Sequence, residues 1–236
     1  MSTMRTDDRL IEVWSTNAFQ AILRPLAPEF ERASGHTVSI AYRSSAMIME
    51  QVAQGGRADA VIATRGALDE LGEQGIVTKR GVRDLASTGV GVAVRAGARK
   101  PDIGSADALR RALLEAKSVV YSATGMSAVH FVRLLERLGI AEPVKAKAIV
   151  HAAGLVGEVV ARGEAELGVQ MVSELLAVPG VELAGPLPPD IQTPTVFAGA
   201  VFTGTKHAQA AGALIEFLMR PDARRVYAAS GMEPVH

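Results

Sequence analysis

Apolar residues dominate the short run "LIEVW", residues 10–14, before the polar "STN", and apolar residues then recur every three or four positions through "AFQAILRPLAPEFERASG" as far as Gly35. The short apolar run suits a strand and the later spacing an amphipathic helix. Ser15, Thr16 and Asn17 between them are helix-capping types, so a strand is predicted to feed a helix through a polar turn. The plan repeats. "HTVSIAYRSS" alternates Val38, Ile40 and Tyr42, after which Ser44 or Ser45 caps "AMIMEQVAQGG", a helix closed by glycines. "ADAVIATRG" is a third short strand, followed by the helix "ALDELGEQG". Three strand–helix units in succession predict a parallel sheet with right-handed crossovers.

The strand "TGVGVAVRAG" follows, then a helix in "PDIGSADALRRALLEA" that begins near the cap residue Ser105. From there the pattern restarts. "KSVVYSATGMSAVHFVRLLERLGI", "KAKAIVHAAGLVGEVVARGE" and "AELGVQMVSELLAV" each read as strand, small-residue turn and helix. "PGVELAGPLPPDIQTPT" concentrates Pro and Gly and reads as a loop returning toward the first half. "VFAGAVFTGT" is a strand. The last segment supplies one helix to Met219, a break at Pro221 and a short terminal helix. The fold class expected is α/β with two lobes, each a mainly parallel sheet flanked by helices. Lobe 1 takes residues 1–87 and 197–236, and lobe 2 takes residues 88–196. A chain that crosses twice between lobes leaves two hinges, which permits closure around a ligand. No internal repeat is visible at the level of residue identity.

Composition narrows the function classes. Of 236 residues 48% are hydrophobic but only 4% aromatic, which favours packed helices and buried parallel strands over an aromatic-rich sandwich. Lys plus Arg equals Asp plus Glu at 25 each, so no global field draws the chain to nucleic acid or to an anionic membrane. The absence of Cys removes disulfides, thiol catalysis and Cys-type zinc sites. No run approaches the ~20 apolar residues of a spanning helix, so no membrane insertion is expected. The opening "MSTMRTDD" shows no charged segment followed by an apolar one. The chain is therefore expected in the cytoplasm, with the periplasm as the alternative if an export leader has been removed. Neither a GxxxxGK[ST] nor a helix-opening GxGxxG is present, nor a G-x-S-x-G elbow, which disfavours nucleotide enzymes and serine hydrolases. The five His form no i, i+4 pair and no grouping with carboxylates, so no metal and no cofactor is expected.

What recurs is a strand whose carboxyl end meets a helix N-terminus through Ser, Thr or Gly. Unpaired N–H groups and the helix dipole favour an anion there, and open α/β sheets bind ligands outside those strand ends. Four such turns are present: Ser15-Thr16-Asn17, Ser44-Ser45, Ser122-Ala123-Thr124-Gly125 and His151-Ala152-Ala153-Gly154. Each alone reads as an ordinary cap. Two from each lobe together describe a cleft for a small anion.

The order "WSTNAFQ", "FERASGHTVSIAYRSSAMIMEQVAQGGRADAVIAT", "GEAELGVQ" and "AGALIEFLMRPDARRVYAASGM" resembles the periplasmic binding proteins of the molybdate-binding type over nearly the whole chain. The resemblance implies the two-lobed type 2 fold, with an oxyanion held between the lobes by serine hydroxyls and backbone N–H groups. Ser15 and Ser45 match the two first-lobe serines. The Thr124-Gly125 turn matches a second-lobe amide donor, and Leu155 or Val156 falls near another. Three departures stand out: Gln170 where molybdate binders place a tyrosine, Arg43 where a small residue precedes the serine pair, and Arg65 where a small or neutral residue is usual.

A guanidinium matches a carboxylate with two parallel charged hydrogen bonds, whereas a tetrahedral oxyanion can be held by neutral donors. The expected ligand is thus a small anion, an organic carboxylate in preference to an inorganic oxyanion. Ser15, Thr16, Arg43, Ser44, Ser45, Arg65, Ser122, Thr124, Gly125, His151 and Gln170 are the candidate contacts. The bland alternative places Arg43 and Arg65 in solvent. Tyr42 and Tyr121 end strands near this site but read equally as core residues with one wet end. Met47, Met49 and Met126 follow the turns, where core filling competes with lining a pocket. His130 suits partial burial on its helix; His36 and His207 fall in surface turns, and His236 is terminal.

Two functions follow. One is a solute receptor that closes on a small anion and hands it to an ABC transporter permease. The other is an isomerase on the same scaffold, since aconitate isomerase-like proteins resemble these binding proteins. That reaction moves a proton within a tricarboxylate, and His151 is then the candidate base with Arg43 and Arg65 as clamps. A cytoplasmic ligand sensor is a third reading without a sequence feature of its own.

Overall fold

The computed structural model describes residues 9–235. Residues 1–8, on which the expectation about export rests, and His236 lie outside that range. Two compact units are present: one holds the chain through Ser87 and again from Val196, and the other is Thr88–Thr195.

In the first unit β1 (Leu10–Thr16), α1 (Gln20–Ser34), β2 (Thr37–Arg43), α2 (Ser45–Ala53), β3 (Ala60–Thr64) and α3 (Arg65–Glu73) alternate as the periodicity predicts, and β4 (Arg83–Thr88) follows. The second unit contains β5 (Val90–Arg95), α4 (Ala106–Glu115), β6 (Val119–Ser122), α5 (Met126–Arg137), α6 (Ala141–Lys145), β7 (Ala148–His151), α7 (Val156–Ala161), β8 (Leu167–Met171), α8 (Val172–Leu176) and β9 (Val181–Pro186). The chain then returns to the first sheet with β10 (Thr195–Val201), α9 (Ala208–Leu218), α10 (Arg224–Ala229) and β11 (Glu233–Pro234).

The strand orders are β11-β4-β10-β3-β1-β2 and β7-β6-β8-β5-β9. Each sheet has a parallel part, β2-β1-β3 and β7-β6-β8, built from strand–helix–strand units. Both sheets are more mixed than the repeated strand–helix pattern suggests. β10 runs antiparallel to β3 and β11 to β4; β5 runs antiparallel to β8 and β9. The segment expected as a loop contains β9, whose Val181–Pro186 pairs along β5 past an irregularity at Val92/Ala93. Without it, β5 would present an unpaired ladder. Pro186 is tolerated because β9 is the sheet's edge strand.

Helices cover both faces of each sheet. In the first unit Trp14, Ile48, Val61, Leu68 and Phe202 form one buried layer under α2 and α3, with the Trp14 and Phe202 rings edge-on at 5.7 Å. On the opposite face Phe19 packs against Phe197 and Tyr227, and Phe30 against Phe217, which seats α1, α9 and α10. In the second unit Val120, Val156, Val160 and Leu175 make one layer, while Tyr121 meets Phe131 of α5 at 5.4 Å. Strands covered on both faces lose the in–out alternation, as the unbroken burial of β6 and β8 shows. Any polar residue on such a strand must find a partner inside the protein or hold one for a ligand. Among the described residues no helix is long and apolar enough to cross a membrane.

Candidate anion site

In the first unit the parallel strands β1, β2 and β3 deliver their carboxyl ends to one edge. Register pairs Ser15 with Tyr42 and Thr16 with Arg43. Ser15 is fully buried and donates to the Thr16 carbonyl at 3.2 Å. Thr16 precedes a short 3-10 turn, Asn17–Phe19, yet makes no side-chain cap bond. Its hydroxyl is buried with no partner. Ser44 caps α2 as expected, its Oγ accepting the Met47 N–H at 3.2 Å. Ser45 accepts the Thr64 N–H at 3.1 Å, which ties α2 to the end of β3. A hydroxyl that accepts in this way still has its own hydrogen to donate.

The two arginines part company. Arg43 is half-buried, its guanidinium carbon 5.7 Å from the centre of the Trp14 ring, and its Nη1 is buried without a hydrogen-bond partner. Arg65 is tied to two carboxylates, Nε to Asp69 and Nη1 to Asp84, both at 2.8 Å. Those hydrogen bonds, Asp84 first, hold its guanidinium even more firmly protonated than usual. With 43% of its side chain exposed and its charge balanced twice over, Arg65 is a surface ion-pair residue. Arg43, in contrast, brings to this edge a cationic donor nitrogen without a hydrogen-bond partner.

The second unit repeats the arrangement at the carboxyl ends of β6, β7 and β8. Ser122 pairs in register with His151, whose carbonyl accepts the Ala123 N–H at 2.8 Å. His151 is half-buried and its Nε2 is buried without a partner. Gly125 stands before α5 with φ 98° and ψ 169°, a backbone region open in practice only to glycine, which fixes the Thr124-Gly125 turn. Gln170, buried on β8, is wired inward. Its Oε1 accepts the Val156 N–H at 2.9 Å, and its Nε2 donates to the Ser122 hydroxyl and to the Gly154 carbonyl, both at 3.3 Å. The Val156 amide, one of the two positions suggested for a second-lobe donor, is therefore occupied by the protein itself.

The remaining candidates divide. Tyr121 is core, and burial pushes the Tyr42 hydroxyl up to about 12. Met49 packs into the core layer, while Met47 and Met126 are exposed on the first turns of α2 and α5. His130 Nε2 lies 3.1 Å from the Ile191 carbonyl, and burial lowers its pKa. His36 lies at the surface beside the Arg9 carbonyl. His207 stands before α9. Among the described residues no group of three or more His, Asp or Glu is placed to hold a metal. Trp14 joins this edge through the fold alone. Its place in β1 looks like core, and only the register of β2 puts Arg43 over its ring.

Glu174 is a second residue that the sequence pattern does not single out. It lies in the first turn of α8, nearly buried, and its Oε2 accepts the Met171 N–H at 3.3 Å. Burial pushes its carboxyl up to about 7, against that hydrogen bond, which acts the other way. In the unfolded chain the group titrates near ~4.3. The folded protein holds the proton more tightly, so its stability falls as pH rises from about 4 to about 7 and stays reduced above that. Glu174→Gln keeps an acceptor for the Met171 N–H and removes the charge. Thermal melts should show the variant more stable than the parent at pH 8, by on the order of 3 kcal/mol. The difference should vanish near pH 4; equal melting points at both pH values would disprove the account.

The sequence matches the profile described as bacterial extracellular solute-binding protein over residues 11–233. The chain belongs to this family. A curated relative named aconitate isomerase, from a Pseudomonas species, is 38% identical over 231 residues, which span 95% of this chain and 88% of that protein. Among solved structures, the periplasmic molybdate-binding protein of Azotobacter vinelandii superposes with a TM-score of 0.79 at 19% identity, covering 94% of this chain and 98% of that one. The sulfate-binding protein SubI of Mycobacterium tuberculosis H37Rv gives 0.75 at 20% identity, covering 96% and 87%. At these identities the structural likeness is one of fold. This solute-binding family member has the two-lobed type 2 fold, and its relation to aconitate isomerase-like proteins rests on the sequence.

Proposed function

We propose that this solute-binding family member binds a small organic carboxylate, with Arg43 and Thr16 of the first unit as its principal ligands; Ser122, the Thr124-Gly125 turn and His151 make up the corresponding edge of the second unit. The observation that carries the reading is the pairing of two buried, unpartnered donors, Thr16 Oγ1 and Arg43 Nη1, at register-matched positions on neighbouring strands. A buried donor left unmet costs about 1–3 kcal/mol, and more if charged. A carboxylate supplies two coplanar oxygens, which satisfies a guanidinium edge better than a tetrahedral ion does. Arg43 rather than Arg65 takes this role, because Nε and Nη1 of Arg65 already face aspartates. Delivery of the ligand to an ABC-type permease accords with the family.

The test is a thermal-shift series with citrate, cis- and trans-aconitate, simple dicarboxylates, molybdate, sulfate and phosphate. A ligand at 100 times its Kd stabilises by about 2.7 kcal/mol, or roughly 5–10 °C for a chain of this length. Polycarboxylates are expected to give that shift. A response confined to molybdate or sulfate would refute the proposal.

A second reading makes the protein an isomerase of a tricarboxylate, supported by the 38% identical relative named aconitate isomerase and by the unpartnered Nε2 of His151. The imidazole there would take a proton from a saturated carbon next to a carboxylate. The double bond then migrates, and the same proton returns to the carbon that had been unsaturated, so the step balances within the substrate. Proton NMR of the protein with cis- or trans-aconitate reads the outcome. Conversion lost in His151→Gln with binding retained supports the isomerase; no conversion by the parent protein leaves the receptor reading.

A further inference from the structure

Gln170 makes three hydrogen bonds from one buried amide, and together they fix which end is which. The Val156 N–H requires the oxygen at its end, and the Gly154 carbonyl requires the nitrogen at the other. The second nitrogen hydrogen then points at the Ser122 Oγ. Two consequences follow. The Val156 amide, at the start of α7, meets a neutral side-chain oxygen where it would otherwise be able to meet an anion. Ser122 accepts from Gln170, so its own hydroxyl hydrogen has to be given to something else. Beside it in register stands His151 with its unpartnered Nε2.

We propose that Gln170 is the positioning residue that selects the ligand class in the second unit: it occupies the Val156 N–H and sets the Ser122 hydroxyl as a donor to a carboxylate. The proposal deepens the carboxylate-binding reading above and rests on it. A tetrahedral inorganic oxyanion has acceptors on all sides and gains from a cage of amide donors. With the Val156 amide occupied, that cage is incomplete. What the second unit offers instead is one oriented hydroxyl and one imidazole nitrogen, a pair suited to a planar carboxylate or to an adjacent polar group of an organic acid. Gln170 acts through Ser122 and Val156 and touches the ligand itself in neither role.

The experiment compares the parent protein with Gln170→Leu and Gln170→Glu, measuring calorimetric affinities for citrate, the aconitates and sulfate. Gln170→Leu uncovers the Val156 N–H and lets the Ser122 hydroxyl turn. The ratio of carboxylate to sulfate affinity is expected to fall at least tenfold. Gln170→Glu keeps an acceptor for Val156 but cannot donate to Ser122 while ionised. Carboxylate affinity should then drop at least tenfold at pH 8 and recover as the new carboxyl protonates at lower pH, a pH profile that a purely structural role would not produce. Should Gln170→Leu fail to fold, NMR of the parent protein gives the answer: in saturating ligand the Val156 amide hydrogen should keep its contacts to the Gln170 side chain and show none to the ligand. A parent protein that binds carboxylates through Arg43 but whose selectivity is unchanged in both variants overturns the Gln170 proposal alone. A Val156 amide hydrogen in direct contact with the ligand overturns it as well. A parent protein that prefers sulfate to every carboxylate overturns this proposal together with the reading beneath it.

Discussion

Arg43→Ala should weaken carboxylate binding by about 2–5 kcal/mol, a loss of roughly 30-fold or more in affinity, with little effect on the melting point of the unliganded protein. The two halves of that expectation come from the same geometry. The guanidinium is half-buried with one nitrogen unpartnered, so in the folded, unliganded protein it is an electrostatic burden. Its stacking on Trp14 at 5.7 Å returns a part of this, on the order of 0.5–1 kcal/mol. Removing the side chain takes away both terms, and they oppose each other. In the complex the charge is matched by the ligand and the loss is uncompensated. Arg43→Lys separates charge from shape, because an ammonium keeps the charge and loses the planar fork. Calorimetry should place the lysine variant between the parent and the alanine variant. Arg65→Ala is the contrast: with Asp69 and Asp84 already holding that guanidinium, affinity should change by less than about threefold, within the effect expected of exposed ion pairs. Equal losses in the Arg43 and Arg65 variants would remove the distinction on which the site rests.

That distinction is invisible along the chain. Asp69 lies one helical turn after Arg65 and can be read as its partner from spacing alone. Asp84 is nineteen residues away and reaches Arg65 only because β4 joins the same sheet. The strand–helix alternation of β1 through α3 and of β6 through α8 is written in local periodicity, since each unit buries its own stripe. β9 is not. "VELAGP" carries a Gly and a Pro and owes its extended form to the open ladder of β5, a partner found more than eighty residues earlier. β4 and β11 are likewise defined by neighbours distant in sequence. The capping serines show the same split. Ser44 bonds within its own first turn and is legible, whereas Ser45 reaches the Thr64 amide and Gln170 reaches Ser122, forty-eight positions back. Residue type announced that anions were welcome at these turns. Which donors the fold keeps for itself, and which it leaves unmatched, is settled by tertiary packing.

Thr16→Val is the sharpest test of that last point, because stability and binding should move in opposite directions. Valine has nearly the shape of threonine and replaces the hydroxyl with a methyl group. At most positions the exchange costs stability by breaking a hydrogen bond. Here the residue is 4% exposed and its Oγ1 meets no partner, so the folded protein loses only an unsatisfied polar group. The expected gain is about 1–3 kcal/mol, seen as a rise in melting point of several degrees in the unliganded protein. Carboxylate affinity should fall by about tenfold or more, because one hydrogen bond to a charged acceptor is worth about 1.5–3 kcal/mol. A site kept for a ligand carries such a penalty in its empty form, and strain of this kind is held where function requires it. Thr16→Ser preserves the hydroxyl and should leave affinity near the parent value while losing stability through the missing methyl group. If Thr16→Val instead lowers the melting point and leaves carboxylate binding intact, Thr16 is a structural residue and the pairing with Arg43 has no functional meaning.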